Sequence, residues 1–347
     1  MSRRVTQAQI AAEAGVSVPT VSAVLNQRTE GIYFSDKTRD RVLATAQRLG
    51  YRANAAARQL RLGRSQVVGL AVDDLSLPFL AAVVQAAVAE FRAADHDCLL
   101  VNLRPGGDTL SALERCVRLH ETNRVDAILL AGATRSMTDE DICTLMRRKI
   151  PTVLVERRLP GKKVPSVAVD NRAGGGLAME HLLRLGRRNP AMICGPSENA
   201  MSSDRRDGAR IACKNAEVSL PGERIVSGDW GFESGRIAMN QILTQTPEVD
   251  AVFAANDLMA IGAMSALRIA GRRIPEDVAV IGYDDVPLAA FSFPALSSIR
   301  QPATAMGQQA ARLVLQALDQ TANTEPEAVV YPELVVRASS GSTETVV

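Results

Sequence analysis

The side chains that could do chemistry are unevenly spread along this chain. The first 64 residues hold eleven basic residues: Arg3, Arg4, Arg28, Lys37, Arg39, Arg41, Arg48, Arg52, Arg58, Arg61 and Arg64. Against them stand four acidic ones, Glu13, Glu30, Asp36 and Asp40, so this segment carries +7 and the rest of the chain −5. A compact basic head on an acidic body points to a polyanion as the head's partner. Catalytic groupings are harder to find. His96, His120 and His181 are isolated, and Cys98, Cys116, Cys143, Cys194 and Cys213 form no CxxC pair. A zinc site and a disulfide framework are therefore not expected, and free thiols fit a reducing cytoplasm. No Gly-x-Ser-x-Gly elbow and no phosphate-binding glycine fingerprint appears. The run Gly174-Gly175-Gly176 is better read as close helix packing than as a phosphate cradle. No metal, no cofactor and no catalytic residue is expected.

The elements that must carry these residues are legible in outline. At 347 residues the chain is long enough for two or three domains, and 46% apolar with 22% charged residues is globular composition. No apolar run reaches the roughly 20 residues that span a bilayer, and no signal-peptide stretch opens the chain, so neither membrane insertion nor export is expected. Thr6-Gln7-Ala8-Gln9 fits a capping box, which starts a helix near Gln7 that stops at Ala14-Gly15. Ser17 can cap a second helix with Pro19 in its first turn, and a third follows Ser35 and ends at Gly50. Ile10, Val16, Val21, Val24 and Leu25 form a miniature core onto which Val42, Leu43 and Leu49 turn inward. Ala11, Gly15 and Val21 have the spacing of a helix-turn-helix, whose second helix enters the DNA major groove. The segment 51–61 reads as a linker helix that orders on DNA or as a plain exposed linker.

Beyond residue 65, short apolar runs alternate with helical spacing: VVGLAV (67–72), CLLVN (98–102), AILLAG (127–132), TVLV (152–155), SVAV (166–169), AMICG (191–195), AVFAA (251–255) and VAVIGY (278–283). Continuous apolar strands separated by helices predict parallel sheets covered on both faces. The length predicts two such lobes.

VTQAQIAAEAGVSVPTVSAVLN, SDKTRDRV, LGYRANAAARQLR and VVGLAVDDLSLPF, followed by VDNRAGGGLAMEHLLRLG, GDW, AANDLMAIGAMSAL and IPEDVAVIGYDD, resemble the lactose/galactose repressor family of bacterial transcriptional regulators, from about Val5 to about Arg337. The resemblance implies an all-α helix-turn-helix head and an α/β two-lobe core like that of periplasmic binding proteins, with parallel sheets. It divides the chain into a head (1–52), a hinge helix or linker (53–64) and a two-lobe body (65–340). Lobe 1 would span about 65–162 and 293–322, and lobe 2 about 163–292 and 323–340, with crossings near 160–165, 288–295 and 320–325.

It further implies that Val18, Pro19 and Ala23 face base edges, where only apolar contact with thymine methyls is open to them. Thr20, Ser22 and Asn26 would hold phosphates, and Leu60 would wedge into the minor groove. Thr6, Ser17, Asn54 and Ala57 complete the expected DNA-contacting set. Between the lobes, the resemblance places Ser76, Phe79, Arg205, Trp230, Asn256 and Asp284 around a small ligand, with Glu156 near the ligand or the hinge. A fixed Arg fork and an Asp can bind adjacent hydroxyls while Trp stacks on a sugar ring, so a monosaccharide or sugar acid is expected. A purine could use the same groups and act as a corepressor. The function implied is a ligand-controlled, sequence-specific DNA-binding regulator, most simply a repressor, acting as a homodimer on a palindromic operator. The tail RASSGSTETVV carries no leucine heptads, so no coiled coil pairing dimers into tetramers is expected. A solute-binding protein of the same two-lobe shape and a sugar-modifying enzyme are the readings from other classes. The basic head argues against the first and the missing acid/base pair against the second.

Overall fold

The computed structural model describes residues 5–25, 33–51, 63–103, 110–132, 136–159, 161–319 and 327–341. The chain divides into two units, residues 1–65 and 66–347.

In the first unit, α1 (Gln7–Ala14), α2 (Val18–Leu25) and α3 (Asp36–Arg48) close a small core. The capping box forms as expected: Thr6 N donates to Gln9 Oε1 at 2.8 Å, and Gln9 N donates back to Thr6 Oγ1 at 3.4 Å. Gly15 takes φ 62°, a left-handed turn that only glycine enters without cost. Ser17 Oγ accepts from Thr20 N at 3.2 Å, and Ser35 Oγ from Thr38 N at 3.2 Å. Ile10, Ala11, Ala14, Val21, Val24, Val42 and Ala46 make the core, with Val5, Val16, Leu25, Phe34, Leu49 and Tyr51 packed against it. Leu43 is a correction. It stays 45% exposed, because the inward stripe of α3 runs through Val42, Thr45, Ala46 and Leu49, and Leu43 lies off that line. Phe34 covers the core, whereas Tyr33 is fully exposed.

The second unit holds two six-stranded sheets. The first is built from β1 (Val67–Val72), β2 (Asp97–Asn102), β3 (Ala127–Ala131), β4 (Thr152–Val155), β5 (Ser166–Val169) and β11 (Glu327–Val330), in the order β11-β5-β4-β3-β1-β2 and parallel throughout. The second contains β6 (Pro190–Cys194), β7 (Ile225–Ser227), β8 (Ala251–Ala254), β9 (Ala279–Asp284), β10 (Ser297–Arg300) and β12 (Glu333–Val335), in the order β12-β10-β9-β8-β6-β7. Only β12 runs antiparallel, along β10. Strand residues alternate between cores: Leu70, Ala127 and Leu129 join one cluster, and Ala71, Ile128 and Leu130 another, so helices must cover both faces of the first sheet.

α4 (Pro78–Ala93), α5 (Ala112–Glu121), α6 (Asp139–Arg147) and α12 (Ala303–Leu318) belong with the first sheet. α7 (Asn171–Arg184), α8 (Ala200–Asn215), α9 (Phe232–Gln245), α10 (Asp257–Ile269) and α11 (Pro287–Phe291) belong with the second. All three expected crossings fall too early. β5 still belongs to the first sheet, so the chain first crosses near 170; β10 belongs to the second, which moves the next to 301–302; β11 returns to the first before the last, at 331–332. The expected lobe boundaries at 162/163, 292/293 and 322/323 shift accordingly. Among the described residues no single helix is long and apolar enough to cross a membrane.

Candidate functional site

A cavity of about 570 Å³ lies where the strands of both sheets end. Asp73, Leu103, Gly132 and Glu156 follow directly on β1, β2, β3 and β4, while Asp284 closes β9 and Asn256 lies just beyond β8. Open parallel sheets offer their ligand crevice at the carboxyl ends of the strands, and here two sheets do so together.

Arg205 is the most firmly held group in it. The side chain is buried at 3% exposure and enters from α8. Its Nε donates to Asn171 Oδ1 at 2.8 Å and Nη1 to the Ala255 carbonyl at 2.5 Å. The guanidinium lies 3.6 Å from the Tyr283 ring centroid and 5.7 Å from that of Trp230. Nη1 also approaches Asp284 Oδ1 to 3.9 Å. α8 can present it there because α7 and α8 pack very closely: a Cβ on Gly175 would overlap the Arg205 carbonyl. The glycine run is thus a helix contact, as the sequence suggested.

Asp284 Oδ1 accepts from Gln301 Nε2 at 2.6 Å. Burial raises its pKa, which Arg205 and the Gln301 hydrogen bond oppose. Asp257 beneath it is raised by burial and by Asp284, although Ser298 Oγ and Val286 N both donate to it. Burial, with the charges of Asp284 and Asp73 acting the same way and Arg205 opposing, pushes Glu156 up to about 8. Glu156, Trp230 and Asp284 all have positive φ (68°, 77° and 105°), so three cavity residues occupy backbone conformations that non-glycine residues rarely adopt.

Asn256 spends most of its amide on the protein. Its Oδ1 accepts from Met259 N at 2.9 Å, capping α10, and its Nδ2 donates to the Trp230 carbonyl at 2.9 Å, which holds the indole's backbone. Phe79, 5% exposed, forms part of the opposite wall. Phe79, Arg205, Trp230, Asn256 and Asp284 therefore come together around one cavity. Ser76 does not. It is exposed, and its Oγ and N donate to Asp74 Oδ1 at 2.6 and 2.9 Å, so a local aspartate has taken the hydroxyl expected for a ligand. Sequence reasoning missed Asp73, Asp74, Arg115, Asn199 and Asp229, which also line the cavity. Asp73 had a usable signal, since it follows the VVGLAV strand directly. Among the described residues no group of three or more His, Cys, Asp or Glu is placed to hold a metal ion.

In the head, Val18 is 43% exposed and Pro19 is exposed on the first turn of α2. Ala23, expected at base edges, is buried at 4%, so its methyl has little free surface to offer a base. The hydroxyls of Thr6 and Ser17 already serve as helix caps, and Thr20 and Ser22 are half-buried. Asn26, Asn54, Ala57 and Leu60 lie outside the described residues.

Comparison with known proteins gives two family matches: bacterial regulatory proteins of the lacI family over residues 6–54, and a periplasmic binding protein-like domain over residues 179–340. The HTH-type transcriptional regulator CelR of Thermobifida fusca is 34% identical, covering 97% of this chain and 98% of that protein. The HTH-type transcriptional repressor PurR of Salmonella typhi is 31% identical, covering 95% of each. Among solved structures, a transcriptional regulator CelR–cellobiose complex matches with a TM-score of 0.74 at 33% identity, covering 97% of this chain and 100% of that one. The lac repressor dimer bound to operator and the anti-inducer ONPF matches with a TM-score of 0.86 at 27% identity, covering 97% and 99%.

Proposed function

The chain belongs to the lacI family of bacterial regulatory proteins, and from that premise we propose that it is a dimeric repressor whose grip on a palindromic operator is released by a saccharide bound in the cavity between its two sheets. The observation that carries the saccharide is the trio of Arg205, Trp230 and Asp284 at the strand ends. A pre-held guanidinium and a carboxylate take adjacent hydroxyls, and an indole covers the apolar face of a pyranose ring. A relative solved as a cellobiose complex supports the same ligand class.

On this reading the head (1–52) and linker (53–64) contact DNA through Val18 and Pro19 at bases, through Thr20, Ser22 and Asn26 at phosphates and through Leu60 in the minor groove, with Thr6, Ser17, Asn54 and Ala57 completing the contacting set. The body past residue 65 binds the effector and the second subunit. The protein acts in the cytoplasm and performs no catalysis. Release follows from linkage: a ligand that binds one lobe arrangement better shifts the population toward it, and a coupling of about 1–3 kcal/mol changes operator affinity roughly 5–150-fold.

The test is fluorescence anisotropy of the purified protein on its own upstream DNA, at fixed salt because phosphate contacts make affinity steeply salt-dependent. Tight binding that resists competitor DNA and is weakened by one sugar of a panel that also holds purines is the expected result. Strengthening by a ligand would reverse the sign to corepression, and selective release by a purine would displace the saccharide.

A further inference from the structure

Crowded glycines in this fold face two kinds of neighbour. A Cβ on Gly175, Gly208, Gly235 or Gly262 would overlap the backbone of an adjoining helix. Gly195 is different. It follows directly on β6, and the atoms nearest to a Cβ there are Cζ2, Cη2 and Cε2 of Trp230, all in the benzo ring of the indole. Gly195 has no left-handed φ, so its own backbone would accept an alanine. The indole alone stands in the way.

Strand pairing brings the two together. β6 and β7 run parallel with Cys194 opposite Ser227, and Gly228 N donates to the Cys194 carbonyl at 2.8 Å. The turn that follows is tied by Gly231 N to Asp229 Oδ1 at 2.9 Å and by Asp229 N to Ser234 Oγ at 3.0 Å. Within it Trp230 takes φ 77°, and Asn256 Nδ2 holds its carbonyl at 2.9 Å. These ties fix the backbone of Trp230. The resting place of its ring depends on the missing side chain at 195.

We infer that Gly195 is a positioning residue for the effector: having no side chain, it seats the Trp230 indole in the cavity wall, and the size of residue 195 sets how tightly a sugar ring is held. The inference rests on the cavity being the effector site. Stacking needs the ring face at a set height and tilt, and a methyl group at 195 pushes it off both. Trp230 is only half-buried, so its side chain can swing aside and the fold yields cheaply. Gly195→Ala should therefore cost binding far more than stability.

The test compares the full-length wild type with Gly195→Ala, Trp230→Phe and the double variant. Gly222→Ala, at a glycine with open space around it, is the control. Calorimetric titration uses cellobiose, glucose and galactose as probes. Whichever probe the wild type binds should bind Gly195→Ala at least about tenfold more weakly, while the urea midpoint stays near that of Gly222→Ala. Trp230 is the chain's one tryptophan, so its emission reads the seat without any ligand. In Gly195→Ala it should shift to the red and yield more readily to acrylamide quenching. Phenylalanine lacks Cζ2 and Cη2, so with Trp230→Phe in place the change at 195 should cost no more than about twofold in affinity. A full loss that persists in that background overturns the proposal, because residue 195 would then act on something other than the indole. Unchanged emission in a folded Gly195→Ala protein overturns it too. Should Gly195→Ala fail to fold, recovery in the double variant supports the seat and continued failure sinks it. Binding of no probe by the wild type overturns the saccharide reading, and emission and unfolding then decide the seat on their own.

Discussion

Arg205 is held by the protein itself, through Asn171, the Ala255 carbonyl and the Tyr283 ring. Pre-organisation of this kind is lost in Arg205→Lys, which keeps the charge but neither the fork nor the stacking. We expect effector affinity to fall about tenfold to a hundredfold, from lost charge-assisted bonds of about 1.5–3 kcal/mol, while operator binding without effector is retained. Calorimetry and anisotropy on the same preparation check the two halves. Glu156 makes a separate prediction about pH. Its folded pKa of about 8 stands above the ordinary 4.5, so folding favours the protonated form. Its contribution is whole below pH 4.5 and is lost as the pH rises through 8, at up to about 1.4 kcal/mol per pH unit. Urea unfolding from pH 5 to 9 should show that decline in the wild type and a flatter profile in Glu156→Gln. Trp230 and Asp284 were legible because each sits in a recognisable string, GDW and GYDD, and Arg205 through the family resemblance alone. The convergence of Asp73, Glu156 and Asp284 was not, since they come from three strands and only the folded sheets bring them together. Ser76 was misread for a local reason: a serine two residues from an aspartate bonds to that aspartate first.

At the scale of elements, the α7–α8 contact carries the site. A Cβ on Gly175 would overlap backbone of Arg205, whereas one on Gly176 meets nothing closer than the Gly208 carbonyl at 3.8 Å. Gly175→Ala should cost about 1–3 kcal/mol in urea unfolding and weaken effector binding, because overpacking forces the helices apart and Arg205 moves with α8. Gly176→Ala should stay within about 0.5 kcal/mol of wild type or gain slightly from helix propensity. The strands were readable where they are apolar runs buried on both faces. β10 was not, because Ser297-Ser298-Ile299-Arg300 reads as a polar segment. Its hydroxyls are buried only because Asp257, Arg337 and Ser340 meet them from distant parts of the chain, where Ser339 Oγ also accepts from Ser297 N. The crossings were misplaced for a related reason: a chain passing between lobes has no composition of its own.

Over the whole molecule, ligand and lobe arrangement must be linked through the crossings, and Gln301 stands on one. It is 4% exposed, sits between β10 of one sheet and α12 of the other, and donates to Asp284 in the cavity. Gln301→Ala should leave operator binding intact but cut the effector's influence on it, with the coupling falling by about 1 kcal/mol, roughly fivefold in the ratio of operator affinities with and without sugar. Anisotropy in both conditions measures that ratio. Dimer formation has its own candidate surface on the second lobe. Phe291 is 85% exposed, Phe293 83% and Ile269 77%, with Leu288 beside them at 44%, and Arg268 Nη1 donates to the Phe293 carbonyl, bringing the end of α10 to this patch. Apolar side chains this exposed and this close together mark an interface. Phe291→Asp combined with Phe293→Asp should shift the protein to monomers in sedimentation velocity and weaken operator binding at least about a hundredfold, because two half-sites would no longer be engaged together.

The order of the strands also sets a timetable for synthesis. The head's three helices all lie within the first 51 residues and can close their core as soon as those residues leave the ribosome. The first sheet has to wait. It starts at Val67, but its edge strand β11 ends at Val330, and Met306, Ala310, Leu313 and Val314 of α12 complete the core beneath it. Through most of translation that lobe has an open strand edge and an uncovered apolar face, while the second lobe is being made. A nascent chain halted near residue 300 would therefore carry a finished head on an unfinished body, and the segment from Ala303 to Val330 decides whether the first lobe ever closes.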